Sequence, residues 1–411
     1  MSRVLGLVAF ASVVMGTTGR PVHAHSLAGK LHRFIDTKGF PTFGDFIEVV
    51  TPIVQRLALR GIDFPVIATA PAFTYRFNLE LGVPERSSES LGPVFVERAD
   101  TVGERRIDVG FSYLYADLTR FDGHDFGRQI LTAGVRTDPR TGAQVGGAFL
   151  GDDFSLASHV LSLSGTYGLT DRWDVNALVP VVSTTLRLGG TAGAVLVVGT
   201  HDFSALEHVR FDESAVGIGD VLLRSKYRFA DVADLNLATS LTLRLPTGNE
   251  RNFQGIGDTT VFPALIASRT FGTHDVHGTL GIEANADDLE RTRARYAVGT
   301  SLQPCEWLAL LVDLLGSSSF VDDEFAISAP TGRVFHGGRD TQLFGREDLI
   351  RSIGRTRVIA FVPRSDVVDL AAGLRVAVAG NAVAFASAIV PLTNDGLRAE
   401  VMPTAGVEVS F

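Results

Sequence analysis

The chain has 411 residues, 45% of them hydrophobic, which excludes a disordered polymer and leaves room for one large domain or two ordinary ones. A formal net charge of −9 without a basic stripe excludes a protein that neutralises nucleic-acid phosphates, and the single Cys305 excludes an intrachain disulfide.

The first element is a leader. Arg3, the apolar run 4–15 and the small residues around Val22-His23-Ala24 have the order of a secretory signal, cut after Ala24, so that residues 1–24 leave the mature protein. A membrane anchor needs about 20 apolar residues, and polar residues arrive well before that. No later uninterrupted apolar stretch reaches spanning length either, so an exported chain that lives in a membrane has to cross it as a barrel.

Residues 25–103 do not alternate. Helical spacing of apolar residues over 27–35 and 46–59 is separated by Gly39, Pro41 and Gly44, and Pro65 and Pro71 break the chain beyond. This segment is expected to be a partly helical lumen plug or a periplasmic extension. The stretches 69–82 and 94–102 can also be read as one extra strand pair.

From 104 to 411 the pattern changes to alternation over about ten residues, the signature of barrel strands whose faces meet lipid and lumen in turn. Leu235, Leu237, Thr239, Leu241 and Leu243 fall on one face, and Asn236, Ala238, Ser240, Thr242 and Arg244 on the other. The preceding segment sets Val221, Leu223, Ser225, Tyr227 and Phe229 against Asp220, Leu222, Arg224, Lys226 and Arg228, and the turn at 230–234 makes the two a hairpin. Further segments lie at 105–118, 154–168, 172–186, 257–271, 276–286, 293–302, 306–315, 367–378, 382–392 and 398–411. The expected fold is therefore all-β, a transmembrane antiparallel barrel of about 12 strands, or 14 with the extra pair.

The connections add an independent argument. Every second one is short, at 169–171, 230–234, 272–275, 303–305 and 379–381, as periplasmic turns are. The others tend to be long, at 119–153, 189–215 and 317–366, although those at 287–292 and 393–397 are brief. Tyr167, Trp173, Tyr227, Phe229, Phe271 and Trp307 sit beside the short turns, where an interfacial aromatic girdle belongs. In the last segment Val401, Pro403, Ala405, Val407, Val409 and Phe411 share the lipid face, so the terminal Phe411 is read as the outer-membrane end signal recognised by the barrel-assembly machinery.

Arg224, Lys226, Arg228 and Arg244 are expected to line one patch of the lumen, with Asp220, Glu283 and Glu408 as acidic counterparts, paired in the wall rather than free. Gly217-Ile218-Gly219-Asp220 recurs as Gly255-Ile256-Gly257-Asp258; both copies are read as strand starts, not as a dinucleotide loop, which would open a helix. His274 and His277 lack a third metal ligand, and the acidic runs at 152–153, 287–288 and 322–324 are expected to be solvated loop tips. Ser158 and His159 are neighbours on a strand and point to opposite faces, so they make no catalytic dyad. No enzyme, metal or cofactor is expected.

Several segments together resemble a known family: Phe73-Thr74-Tyr75, the run 87–100, 105–122 with Phe121-Asp122-Gly123, Tyr167 to Val175, the two Gly-Ile-Gly-Asp copies and Leu245-Pro246-Thr247-Gly248. They are similar to the outer-membrane proteins grouped with the phenol meta-degradation pathway, a family similar in architecture to long-chain fatty-acid transporter barrels. The resemblance implies a channel for small hydrophobic or aromatic molecules, and the expectation is a monomeric barrel, set in outer-membrane lipid, that passes them passively. A structural or adhesion barrel with a closed lumen is the alternative.

Overall fold

The computed structural model describes residues 26–37, 55–68, 75–78, 83–86, 91–125, 130–137, 144–198, 201–232, 235–328, 350–353 and 357–411. Residues 1–24, read as the signal, lie outside them. Twelve antiparallel strands form the barrel: β1 (Ile107–Phe121), β2 (Gln144–Thr170), β3 (Trp173–Val198), β4 (Val221–Val232), β5 (Leu235–Leu245), β6 (Thr260–Phe271), β7 (His274–Asn285), β8 (Arg293–Cys305), β9 (Leu308–Ser319), β10 (Asp366–Ala379), β11 (Ala382–Pro391) and β12 (Met402–Ser410). Each pairs with the next. The ring closes because β1 pairs with both β2, at Tyr113↔Leu161, and β12, at Val109↔Val409, leaving no open edge around it.

These are the twelve alternating segments of the sequence. The fourteen-strand alternative is not adopted: Tyr75–Asn78 pairs with Val83–Arg86 as a separate two-stranded ribbon, and 91–103 forms no strand. In β1, Ile107, Val109, Phe111 and Tyr113 stand outward, while Asp108, Ser112, Leu114, Ala116 and Leu118 are buried inside. The same rule exposes Leu163, Leu223, Leu241, Leu265, Val298 and Val312 around the ring. A soluble protein does not leave so much apolar surface to water; a bilayer covers it. The six girdle aromatics are all outward, between Tyr167 at 41% exposed and Trp307 at 57%.

Three connections read as loops contain strand. β2 and β3 run for 27 and 26 residues, more than twice the 9–11 or so that a bilayer needs. Strand His201–Ile218 returns along the outer half of β3, from Val198↔His201 to Val181↔Ile218, and β4 takes over the inner half, from Leu178↔Leu222 to Trp173↔Tyr227. Residues 201–232 are thus one long strand interrupted at Gly219-Asp220, and not a strand preceded by a loop. Ile130–Thr137 pairs onto β2, and Asp323–Ser328, Ile350–Ile353 and Arg357–Val362 make a small three-stranded sheet between β9 and β10. Glycine-rich, mixed sequence hides these strands, because pairing to a neighbour that already exists decides them more than propensity does.

Of the described N-terminal residues, 55–68 and 91–103 lie in the lumen. Helix α1 (Leu27–Thr37) sits at the long-loop rim, where the Leu27 amide donates to Asn252 Oδ1 at 2.9 Å and the Phe34 ring meets Phe211 at 5.4 Å. A second helical stretch covers 55–61; the rest of the expected helix, 46–54, lies outside the described residues. Residues 91–103 then cross the short-turn half, with Leu91, Val94, Val96, Ala99 and Val102 almost completely buried, and hand over to β1.

The lumen wall is divided lengthwise. On β1 and β9–β12 its inner face is largely apolar, apart from Asp108, Asp313, Asp369, Arg375 and Glu408, and Leu114, Leu118, Leu311, Phe385 and Ile389 share one cluster with Leu57, Ile62, Leu91 and Phe95 of the plug. On β3–β8 it is charged. Many inward positions of β9–β11 are therefore apolar like the outward ones, because one face meets lipid and the other meets the plug.

Candidate functional site

The short-turn half of the lumen is filled by a peptide whose backbone is answered group by group from the wall, as buried backbone must be. The Leu91 carbonyl accepts from Arg375 at 2.5 Å, and the Leu91 amide donates to Gln303. The Phe95 amide donates to Asp313, Ala99 to Ser268 Oγ at 2.8 Å and Val102 to the Asp174 carboxylate at 3.0 Å, while Lys226 Nζ donates to the Arg98 carbonyl at 3.2 Å. At the rim the Arg105 amide donates to the Gly168 carbonyl at 2.9 Å. A Cβ on Gly168 would lie 1.8 Å from the Gly103 carbonyl oxygen, so glycine is required where plug turns into barrel.

The long-loop half is open enough to hold a cavity of about 540 Å³. One wall carries Leu118, Phe121 and Met402, from β1 and β12. The wall six strands round the ring carries Arg244, Glu283, Arg293 and Arg295, from β5, β7 and β8. Between them stands the plug stretch 55–68.

The centre of the charged wall is a carboxylate that does not belong to it. Asp63, on the plug just beyond the helical stretch, accepts from Arg244 at 2.6 Å and from Arg293 and Arg295. Arg293 and Arg295 also hold Glu283, and Arg244 lies 3.8 Å from Asp220. Burial alone raises the Asp63 carboxyl, but Arg244, Arg293 and Arg295 together outweigh it and hold it well below the usual carboxylate range. Arg60, one helical turn earlier, is pushed down to about 10 by burial, with Arg293, Arg291 and Arg56 adding to it against the pull of Asp323.

The residues singled out in the sequence divide between two clusters. Arg224, Lys226 and Arg228 face inward, but their partners come largely from the plug: Glu97 lies 3.5 Å from Arg224 and 3.9 Å from Lys226, and Asp100 lies 3.5 Å from Arg228. Wall carboxylates assist at Asp174 and Asp231. Arg244 and Glu283 belong to the Asp63 cluster. Glu408 lies apart, paired at 2.5 Å with the wholly buried Arg375. Phe411 is 62% exposed on the outer face, its backbone bonded to that of Ile107.

Asp220 is held by backbone: the Ile256 and Gly248 amides donate to it at 2.8 and 3.0 Å. The two Gly-Ile-Gly-Asp copies therefore pack on each other, and the first is a break inside a strand where a strand start was expected. Asp258 of the second copy accepts from Asn285 and Arg291. Asp323, expected to be solvated, is buried and accepts from Arg56.

Sequence reasoning missed Asp63, Glu97 and Asp100 because nothing local marks a plug residue's partner. Arg293 and Arg295, two apart on one strand face, and Arg375, the one cation of β10, were visible signals. His277 is buried against Ser268 while His274 is exposed, and no group of metal-ligating residues occurs among the described residues. Ser158 is buried, whereas His159 points outward to the Tyr113 hydroxyl.

These features define the class: a closed transmembrane barrel whose lumen is partly plugged by its own N-terminal segment and holds an amphipathic cavity. The family described as "Putative MetA-pathway of phenol degradation" matches residues 136–309, which is the family that the sequence motifs resemble. Similar solved structures include an outer membrane channel from Pseudomonas putida F1 (13% identity over 76% of this chain and 98% of that one, TM-score 0.45). CdiB from Acinetobacter baumannii (10%; 74% and 60%; 0.30) and a FadL homologue from Pseudomonas aeruginosa (9%; 74% and 89%; 0.31) are also similar. No curated protein matches the chain.

Proposed function

We propose that the protein is an outer-membrane channel for passive movement of small hydrophobic or aromatic molecules, uptake or efflux, gated by its own N-terminal segment. The observation that carries this is the cavity of about 540 Å³ inside a lipid-facing barrel, a size in the ordinary range of small-molecule sites, with an apolar wall on β1 and β12. The family match and the resemblance to outer-membrane channels support it. In this reading the short turns are periplasmic, the signal 1–24 is removed on export, Phe411 addresses the barrel-assembly machinery and the barrel works as a monomer without a cofactor.

The density of hydrogen bonds around residues 91–103 favours a second reading, a structural barrel that never opens. Proteoliposome flux of two small aromatic solutes, one neutral and one a carboxylate, separates the two. The channel reading expects flux above that of protein-free vesicles, and its absence from a folded, inserted barrel refutes it.

A further inference from the structure

Three wall guanidinium groups converge on a single carboxylate, and that carboxylate is carried by the plug. With Asp63 withdrawn, Arg244, Arg293 and Arg295 would face Glu283 and the more distant Asp220, leaving a positive cradle that requires an anion, since buried charge is tolerated only when compensated. Arg56, Arg60 and Arg224 line the same cavity but stand beside carboxylates of their own, Asp323 and Glu97. The cradle is pre-formed: its members stand on adjacent, hydrogen-bonded strands, β5 to β8, where a fork of N–H donors matches a carboxylate.

The opposite wall presents apolar surface at Leu118, Phe121, Leu397 and Met402, with the paired Asp369 and Arg398 and the rim carboxylates Asp122 and Asp395 around it. A ligand that satisfies both walls at once has an anionic head and an apolar body.

We propose that the Arg244–Arg293–Arg295 cradle is the binding site for the carboxylate of an amphiphilic organic acid, and that Asp63 is its built-in stand-in. The proposal rests on the channel reading and names its cargo class. An entering carboxylate takes the three arginines, its apolar body lies against β1 and β12, and Asp63 is released. Asp63 directly follows the helical stretch 55–61, and its amide is bonded back to the Arg60 carbonyl at 3.4 Å, so its release loosens that stretch and opens the long-loop half. No new charge has to be buried, because one carboxylate replaces another. Ligand and plug compete for one site, which makes the cargo its own key.

The test uses the full chain folded in detergent, with phenylacetate and its neutral amide as probes. Equilibrium dialysis should give phenylacetate about tenfold tighter binding to Asp63→Asn than to the unaltered protein, because the competing internal carboxylate is gone, and the amide no change. Equal change for both probes, or none, overturns the proposal. Should Asp63→Asn not fold, hydrogen exchange on the unaltered protein decides: phenylacetate, but not the amide, should speed exchange within 55–68, and equal effects overturn the proposal. In proteoliposomes, phenylacetate should cross the unaltered barrel faster than the amide, and Arg293→Gln/Arg295→Gln should abolish that preference. If neither probe crosses the unaltered barrel, the channel reading falls and the gate with it; if both cross without discrimination, only the cradle falls.

Discussion

Replacing Arg375 by methionine removes one guanidinium from the middle of the plug–wall contact while keeping most of the packing of its stem. Arg375 is completely buried, donates to Glu408 Oε1 and to the Leu91 carbonyl, both at 2.5 Å, and lies 5.8 Å from the Phe385 ring centroid. Removing one partner of a buried ion pair costs about 3–5 kcal/mol, because the other charge stays behind. A buried carbonyl that loses its donor costs about 1–3 kcal/mol, and the two overlap because one side chain supplies both. The expected loss for Arg375→Met is about 4 kcal/mol, a large share of the roughly 5–15 kcal/mol that holds a typical domain together. Arg375→Met/Glu408→Leu removes the stranded charge as well and should recover most of that loss, leaving about 1–3 kcal/mol for the Leu91 carbonyl. Urea titration in phospholipid vesicles, read by heat-modifiable gel migration, measures both variants. A single variant within about 1 kcal/mol of the unaltered protein, or a double variant no better than the single, refutes the assignment of Arg375 as the buried tie between wall and plug.

Four further outcomes are expected. Gly168→Ala forces a methyl group into the Gly103 carbonyl and should destabilise the barrel by about 1–3 kcal/mol while making 91–103 accessible to protease; unchanged proteolysis contradicts the rim contact. Lys226→Met deletes the donor to the Arg98 carbonyl and a cation beside Glu97 and Asp174, and should raise single-channel conductance with the barrel intact; identical conductance counts against this plug anchor. Trp173 and Trp307, the two tryptophans, stand on the outer face beside the short turns, so their emission should be quenched by brominated lipid and little by aqueous iodide. For pH, the Asp63 carboxyl is depressed in the folded state, so its stabilisation is complete above its unfolded value near 3.9 and is lost as pH falls through the lower folded value. The stability gap between the unaltered protein and Asp63→Asn should therefore be flat above about pH 5 and shrink below about pH 4; a gap that grows on acidification reverses the sign of the argument.

The barrel was legible in the sequence because lipid outside and a polar lumen inside impose a two-residue period that few other surroundings demand. That held best in β4, β5 and β12, where Arg224, Lys226, Arg228 and Glu408 alternate with Tyr227, Phe229 and Val407. Strand length was less legible. The outer halves of β2 and β3 lie beyond the span a bilayer needs, so the period fades where Gly189, Gly190 and Gly193 stand, although the ladder continues. The site was half visible: cations of the wall showed on their strands, but Asp63 and Glu97, and Asp100 in its pairing with Arg228, lie more than a hundred residues from those wall partners, in a segment whose own pattern is helical or irregular. Contacts of that separation are set by topology, which local periodicity does not encode.

Helix α1 stands at the long-loop rim and β1 begins at the short-turn rim, so the N-terminal segment is a thread through a ring. A ring that closed first would have to pass the whole leading segment through its lumen before α1 could dock at the far rim, a step avoided if that segment is in place when the ring closes. The seam between β1 and β12 joins the two ends of the strand sequence, and it is the pairing with the longest chain separation in the barrel. Assembly therefore has an order built into it: the sheet curls around its own leading segment, and the last ladder to zip up locks the thread in place.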